Sequence, residues 1–300
     1  FFLYGLDRAW VVVLYYVWLG MAFAIAVSQV WSYANHVFDP RQARRLFAFI
    51  GAGGLLGAIP GGLIAYGVTQ LAGTRATLLA SAALVLVLLV LVVLIERSRP
   101  NTQPPPSVRR HGGVEQARGG LEVIRTSRLL LLITVLMLGT VVVGQLVGWQ
   151  FYWFVERATE QAAAAERLDL RTSVIGKFFV LMGVVGFIFQ LLFTQRIHRA
   201  LGVGVGMRVL PAAVGVCQAC VVVGLVAAPT VVYPLVWVLM LTEGSLRHSV
   251  DQATRELLFL PVPSERRVRA KAFIDVFVQR FAKGMAALLI LPVTFSLLPP

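Results

Sequence analysis

The amino-acid sequence predicts an all-α integral membrane protein with about eight transmembrane helices. Three observations carry that prediction. Hydrophobic residues fill 58% of the 300 positions and charged residues only 14%. The mean hydropathy is +0.80, beyond the range of ordinary water-soluble domains. The apolar residues also gather into runs long enough to cross hydrocarbon, which takes ~20 residues of helix. A net charge of +13 would point to nucleic acid in a soluble protein. Here the basic residues lie in short stretches between apolar runs, so the expected partner is the lipid bilayer and no nucleic acid is expected.

In chain order the spans are Trp10–Tyr33, Leu46–Leu71, Thr77–Ile95, Leu129–Phe154, Val174–Ile197, Val209–Ala227, Val231–Leu260 and Phe273–Leu298. Between the third and fourth stands RSRPNTQPPPSVRRHGG, too rich in Pro, Gly and Arg to bury a core. It divides the chain into residues 1–96, the end of an N-terminal helical half with three helices, a linker over 97–120, and a five-helix C-terminal half over 121–300. The basic loops (Arg41, Arg44 and Arg45; Arg97 to Arg128; Arg196 and Arg199; Arg266, Arg267, Arg269 and Lys271) alternate with loops of little net charge around Arg75, Glu156 to Arg171 and Ala228 to Thr230. That alternation places the linker in the cytoplasm and both chain ends outside. Many secondary transporters join two six-helix halves by one cytoplasmic loop. On that template the chain, which begins with Phe1, reads as a fragment holding helices four to eleven of twelve.

The second span contains GAGGLLGAIPGG. A dinucleotide loop fails because position 56 is Leu and no βαβ pattern surrounds it, which leaves close helix packing through small residues. Cys217 and Cys220 form C-x-x-C inside an apolar span with no other metal-ligating residue nearby, so they read as buried small apolar residues and no metal is expected. Gln145 lies a turn below Trp149 and could meet a solute or a neighbouring helix. Lys177, one of three lysines with Lys271 and Lys283, could snorkel to water or meet an anion.

The densest polar stretch runs from Glu243 to Lys283. Glu243, Arg247, Asp251 and Arg255 stand four apart with alternating sign, a ladder of ion pairs on a helix. After the break at Leu260 to Pro263 comes a second ladder, Lys271, Asp275, Gln279 and Lys283. Depth along the bilayer places Glu243, Arg247, Arg280 and Lys283 inside the hydrocarbon, where unpaired charge is costly. Two roles follow. Glu243 with Arg247 and Lys271 with Asp275 could brace a cytoplasmic gate, to which Asp251 and Arg255 also belong. Alternatively Arg247, Arg280 and Lys283, with Glu243 as counter-charge, could bind an anionic solute.

Four segments, WSYANHVFDPRQARRLFAFIGAGGLLGAI, Phe189 to Pro211, SLRHSVDQATRELLFLPVPSERRVRAKAFIDVFVQRFAKG and, more weakly, WQFYWFVERATEQAAAA, resemble the bacterial branch of the ATP/ADP translocase family. The glycine-rich run also resembles the Gly-Pro motif of major facilitator antiporters. The resemblance implies a major-facilitator-like helical bundle in a bacterial inner membrane, exchanging nucleotides across it. Arg247, Arg280, Lys283, Glu243, Gln145 and Lys177 are then the candidate substrate contacts, and Asp251, Arg255, Lys271 and Asp275 the gate.

Exchange requires no hydrolysis. Gly176-Lys177 is followed by Phe178 and lacks the upstream glycine of a phosphate-binding loop. The expectation is therefore a transporter and not an enzyme, without cofactor. Nothing in the sequence sets an oligomeric state. The alternatives are a proton-coupled transporter of another solute, with Glu243 as proton carrier, and a membrane module that regulates a fused soluble domain.

Overall fold

The computed structural model describes residues 40–97, 113–200, 202–259 and 261–297, with isolated positions at 14, 17, 18, 20, 21 and 30. Every regular element among the described residues is helical. Before the linker stand α1 (Pro40–Ala72) and α2 (Thr74–Arg97). After it come α3 (Gly113–Arg125), α4 (Arg128–Ala158), α5 (Ala164–Phe189), α6 (Gln195–Ala200), α7 (Gly202–Ala227), α8 (Val232–Leu246), α9 (Gln252–Leu258), α10 (Ser264–Phe273) and α11 (Gln279–Leu297). Three π-helical turns, Gln190–Thr194, Arg247–Asp251 and Ile274–Val278, join α5 to α6, α8 to α9 and α10 to α11 without breaking the helical path.

Among the described residues, six helical segments are long and apolar enough to cross a membrane: Ala52–Ala72, Thr74–Leu94, Arg128–Ala158, Glu166–His198, Gly202–Ala227 and Pro229–Leu258. They coincide with the second to seventh spans expected from the sequence. The first expected span lies almost wholly outside the described residues, and α11 occupies the place of the eighth. The stretch expected as a linker is helical from Gly113 onward; residues 98–112 lie outside the described residues. Helix α3 packs on α10 so closely that a Cβ at Gly120 would stand 2.6 Å from the Phe273 Cβ.

The corners follow from local chemistry. Gly73 and Gly202 adopt φ of 77° and 76°, a left-handed conformation that lets one helix stop and the next start within a residue. The basic loop expected at Arg196 and Arg199 is helical up to Ala200, and α7 starts at Gly202. Ser127 caps α4 by accepting from the Leu130 N–H at 3.5 Å.

Two cores hold the helices together. In the first, Phe151 of α4, Phe178 of α5 and Trp237 of α8 meet, with the Phe151 and Phe178 rings 4.5 Å apart and each 5.5 Å from Trp237. In the second, Ile124, Leu130 and Ile133 pack with Phe259, Val262 and Ile274, so the Leu260 to Pro263 break is anchored in apolar contacts. Along the seam between α1 and α5, a Cβ at Gly62 would stand 2.6 Å from the Gly176 carbonyl oxygen, and one at Gly183 2.9 Å from that of Leu55. Of the glycine run only Gly62 makes this approach among the described residues; Gly53, Gly54, Gly57 and Gly61 have open space at the Cβ position. Helix α2 is exposed on all sides from Leu84 to Leu94, a surface compatible with hydrocarbon and not with water. Cys220 is exposed rather than buried, and Cys217 Sγ lies 3.8 Å from Thr242 Oγ1.

Candidate functional site

The polar residues that the sequence places in the seventh span converge where α8 passes into its π turn. Glu243 is only 5% exposed. The Arg247 guanidinium pairs with it, Nε and Nη2 both reaching Glu243 Oε1. Its Nη2 also donates to the Thr140 carbonyl oxygen of α4 at 2.8 Å. A carbonyl has two lone pairs and can serve its own helix and a guanidinium together. Room for this pair comes from Gly144, where a Cβ would fall on the Arg247 guanidinium and 2.6 Å from Glu243 Oε1. Gly144 was not singled out from the sequence, because nothing in its own helix shows that a charge pair crosses at its level.

The expected four-residue ladder divides into two pairs. Beyond Glu243 and Arg247, the Arg255 Nη2 lies 3.2 Å from Asp251 Oδ2, a carboxylate that is 4% exposed. The π turn between them carries an extra residue per turn relative to an α-helix, which rotates Arg247 and Asp251 out of α-helical register. The second expected ladder is interrupted in the same way by Ile274–Val278.

Lys271 was expected to pair with Asp275. The structure gives it a partner across the break: its Nζ lies 2.6 and 2.8 Å from the two carboxylate oxygens of Glu256. The turn at residues 261–263 folds α10 back toward α9 and brings them together. The side chain of Asp275 lies outside the described residues.

Beside these pairs runs a belt of neutral polar groups that the sequence reading missed. The π turns Gln190–Thr194 and Arg247–Asp251 touch each other, and Gln190, Thr194, Ser245, Ser249 and Thr254 are all buried. His198 Nε2 lies 2.8 Å from Thr254 Oγ1. The threonine hydroxyl already donates to the Val250 carbonyl at 2.6 Å, so the imidazole must carry its proton on Nε2 and donate. Gly206 of α7 closes over this contact, its Cβ position 2.8 Å from Thr254 Oγ1. Lone Ser, Thr and His in apolar helices carry no spacing signal.

Among the described residues, none of the remaining candidates is hydrogen-bonded or ion-paired to Arg247 or Glu243. Lys177 holds its ammonium 4.8 Å from the Tyr66 ring centroid. It is nine residues before Gly186, whose Cβ position lies 3.5 Å from the Ser245 Cα; that is about 13 Å along the helix, so it does not join the Arg247 pair. Gln145 is exposed beside Gly144. Arg280 and Lys283 are exposed on α11 either side of Ala282, which is buried. Among the described residues neither cation has a carboxylate partner.

A family model for the Major Facilitator Superfamily matches residues 1–287. No curated protein and no solved structure matches the chain. The match runs through every described helix but the end of α11, and it agrees with a chain whose described residues hold six helical segments long and apolar enough to cross a bilayer. The chain therefore belongs to the major facilitator superfamily, as a multi-pass secondary membrane transporter.

Proposed function

We propose that this transporter carries a small anionic solute of the nucleotide class, exchanging it across a cell membrane by alternating access. The observation that carries the proposal is the pair Arg280 and Lys283, a turn apart on α11 and without a carboxylate partner among the described residues. Two cations without such a partner among the described residues, on a helix that is apolar from Met285 onward, are costly against lipid. A water-filled cavity offering them to phosphate removes that cost and gives strong charge-assisted hydrogen bonds. The resemblance of four segments to ATP/ADP translocases supplies the nucleotide class. Arg247 joins the site when solute displaces Glu243 from it. Asp251 with Arg255, and Glu256 with Lys271, brace the cytoplasmic side.

Counterflow tests the reading. With ADP inside liposomes, labelled ATP is expected to enter faster than into empty ones. Arg280→Gln and Lys283→Gln are each expected to raise the nucleotide KM on the order of tenfold. Correctly inserted protein that shows no trans-stimulation by any nucleotide rules the substrate class out.

One observation favours a second reading, a proton-coupled carrier. Glu243 is buried with Arg247 as its partner, so an anion that captured Arg247 would leave the carboxylate to take up a proton. Uptake abolished by an uncoupler and indifferent to nucleotide would select it.

A further inference from the structure

At the end of α1 away from the linker, the corner between α1 and α2 is tied to the first turns of α5. The Thr74 backbone N–H donates to Asp169 Oδ1 at 2.6 Å. The Thr74 hydroxyl lies 2.9 Å from the Thr172 hydroxyl and 3.2 Å from the Leu168 carbonyl oxygen. One turn back, Gln70 Nε2 donates to Ser173 Oγ at 3.2 Å. A further turn along, Lys177 covers the Tyr66 ring. Gly73, at φ 77°, ends α1 and frees the α2 N-terminus for the carboxylate. A Cβ there would stand 3.5 Å from Asp169 Oδ2.

Helix N-termini carry unsatisfied N–H groups and partial positive charge, normally met by a capping residue of the same chain segment. Here the cap of α2 comes from Asp169, 95 positions along the chain and across the linker. Deeper in the seam, α1 meets α5 through Leu55, Ile59 and Gly62, by apolar contact and close backbone approach. An apolar seam can tilt while it stays in contact. A cap is either made or broken, and at an aqueous end both partners rehydrate when it breaks.

We propose that Asp169 and Thr74 are the releasable latch that holds the two sides of this transporter closed at the end opposite the linker, and that each transport cycle breaks it. This rests on the reading of the segments before and after the linker as opposing halves.

The test needs no solute. Thr69 is 3% exposed beneath the latch. With Cys217 and Cys220 replaced by Ala, Thr69→Cys in the full-length protein in liposomes reports opening through its rate of alkylation by a membrane-impermeant maleimide. Asp169→Ala is expected to raise that rate on the order of tenfold, the effect of losing a charge-assisted hydrogen bond. Asp169→Asn, which keeps an acceptor, and Thr74→Val, which keeps the N–H, are expected to raise it about threefold. They carry the test if the alanine variant does not fold. Equal rates in all three overturn the proposal. Failure of nucleotide counterflow with accelerated alkylation sinks the substrate class and leaves the latch standing.

Discussion

At the scale of single residues, the ion pair of α8 depends on what α4 lacks. A Cβ at Gly144 would occupy the space of the Arg247 guanidinium, so Gly144→Ala is expected to displace it from the Thr140 carbonyl. The cost is about 1–3 kcal/mol, the range for overfilling a packed site, read as a lower unfolding midpoint in detergent. Glu243→Gln leaves the partly buried Arg247 against a neutral partner and is expected to cost about 3 kcal/mol. The double variant Glu243→Gln with Arg247→Gln is expected to cost less than the single one, because no unpaired charge remains. A double variant at least as unstable as Glu243→Gln contradicts that account. Glu243 and Arg247 were legible in the sequence, since opposite charges four apart in an apolar run announce themselves. Gly144 and Thr140 were not, because one contributes empty space and the other a backbone oxygen.

At the scale of elements, the glycine run of α1 shows how similar residues acquire different roles. Gly62 sits where a Cβ would meet the Gly176 carbonyl oxygen, while Gly57 has nothing within 4 Å. Gly57→Ala is expected to be neutral or to stabilise by up to ~1 kcal/mol, the gain in helix propensity. Gly62→Ala is expected to destabilise by more than that gain, since two backbones must separate. Thermal unfolding of the two variants side by side checks the difference. Small-residue packing was legible as a general expectation, but which glycine does the packing depends on how α1 is rotated against α5. The π turns had no sequence signal. The one at Arg247–Asp251 divides the Glu243 to Arg255 ladder into two pairs and stands where the buried polar belt crosses the seam.

At the scale of the whole molecule, the loop charges lead to a prediction about sidedness. Cysteines at Ser107 and Arg269 are expected to be labelled from the cytoplasmic face, and one at Ala163 from the other. Labelling of Ser107→Cys and Ala163→Cys from the same face would overturn the topology. The sequence by itself determined that this is a helical membrane protein, where six of its described spans lie, and that its intramembrane charge is concentrated from Glu243 to Lys283. Those properties are local: hydrophobic length and charge spacing are written along one helix at a time. Only the tertiary structure decided that Lys271 turns to Glu256, that Lys177 lies on Tyr66, that α4 makes room for Arg247, and that Asp169 caps a helix on the other side of the linker. These contacts join positions 15 to 111 residues apart, and no periodicity within a helix encodes which neighbour it will meet.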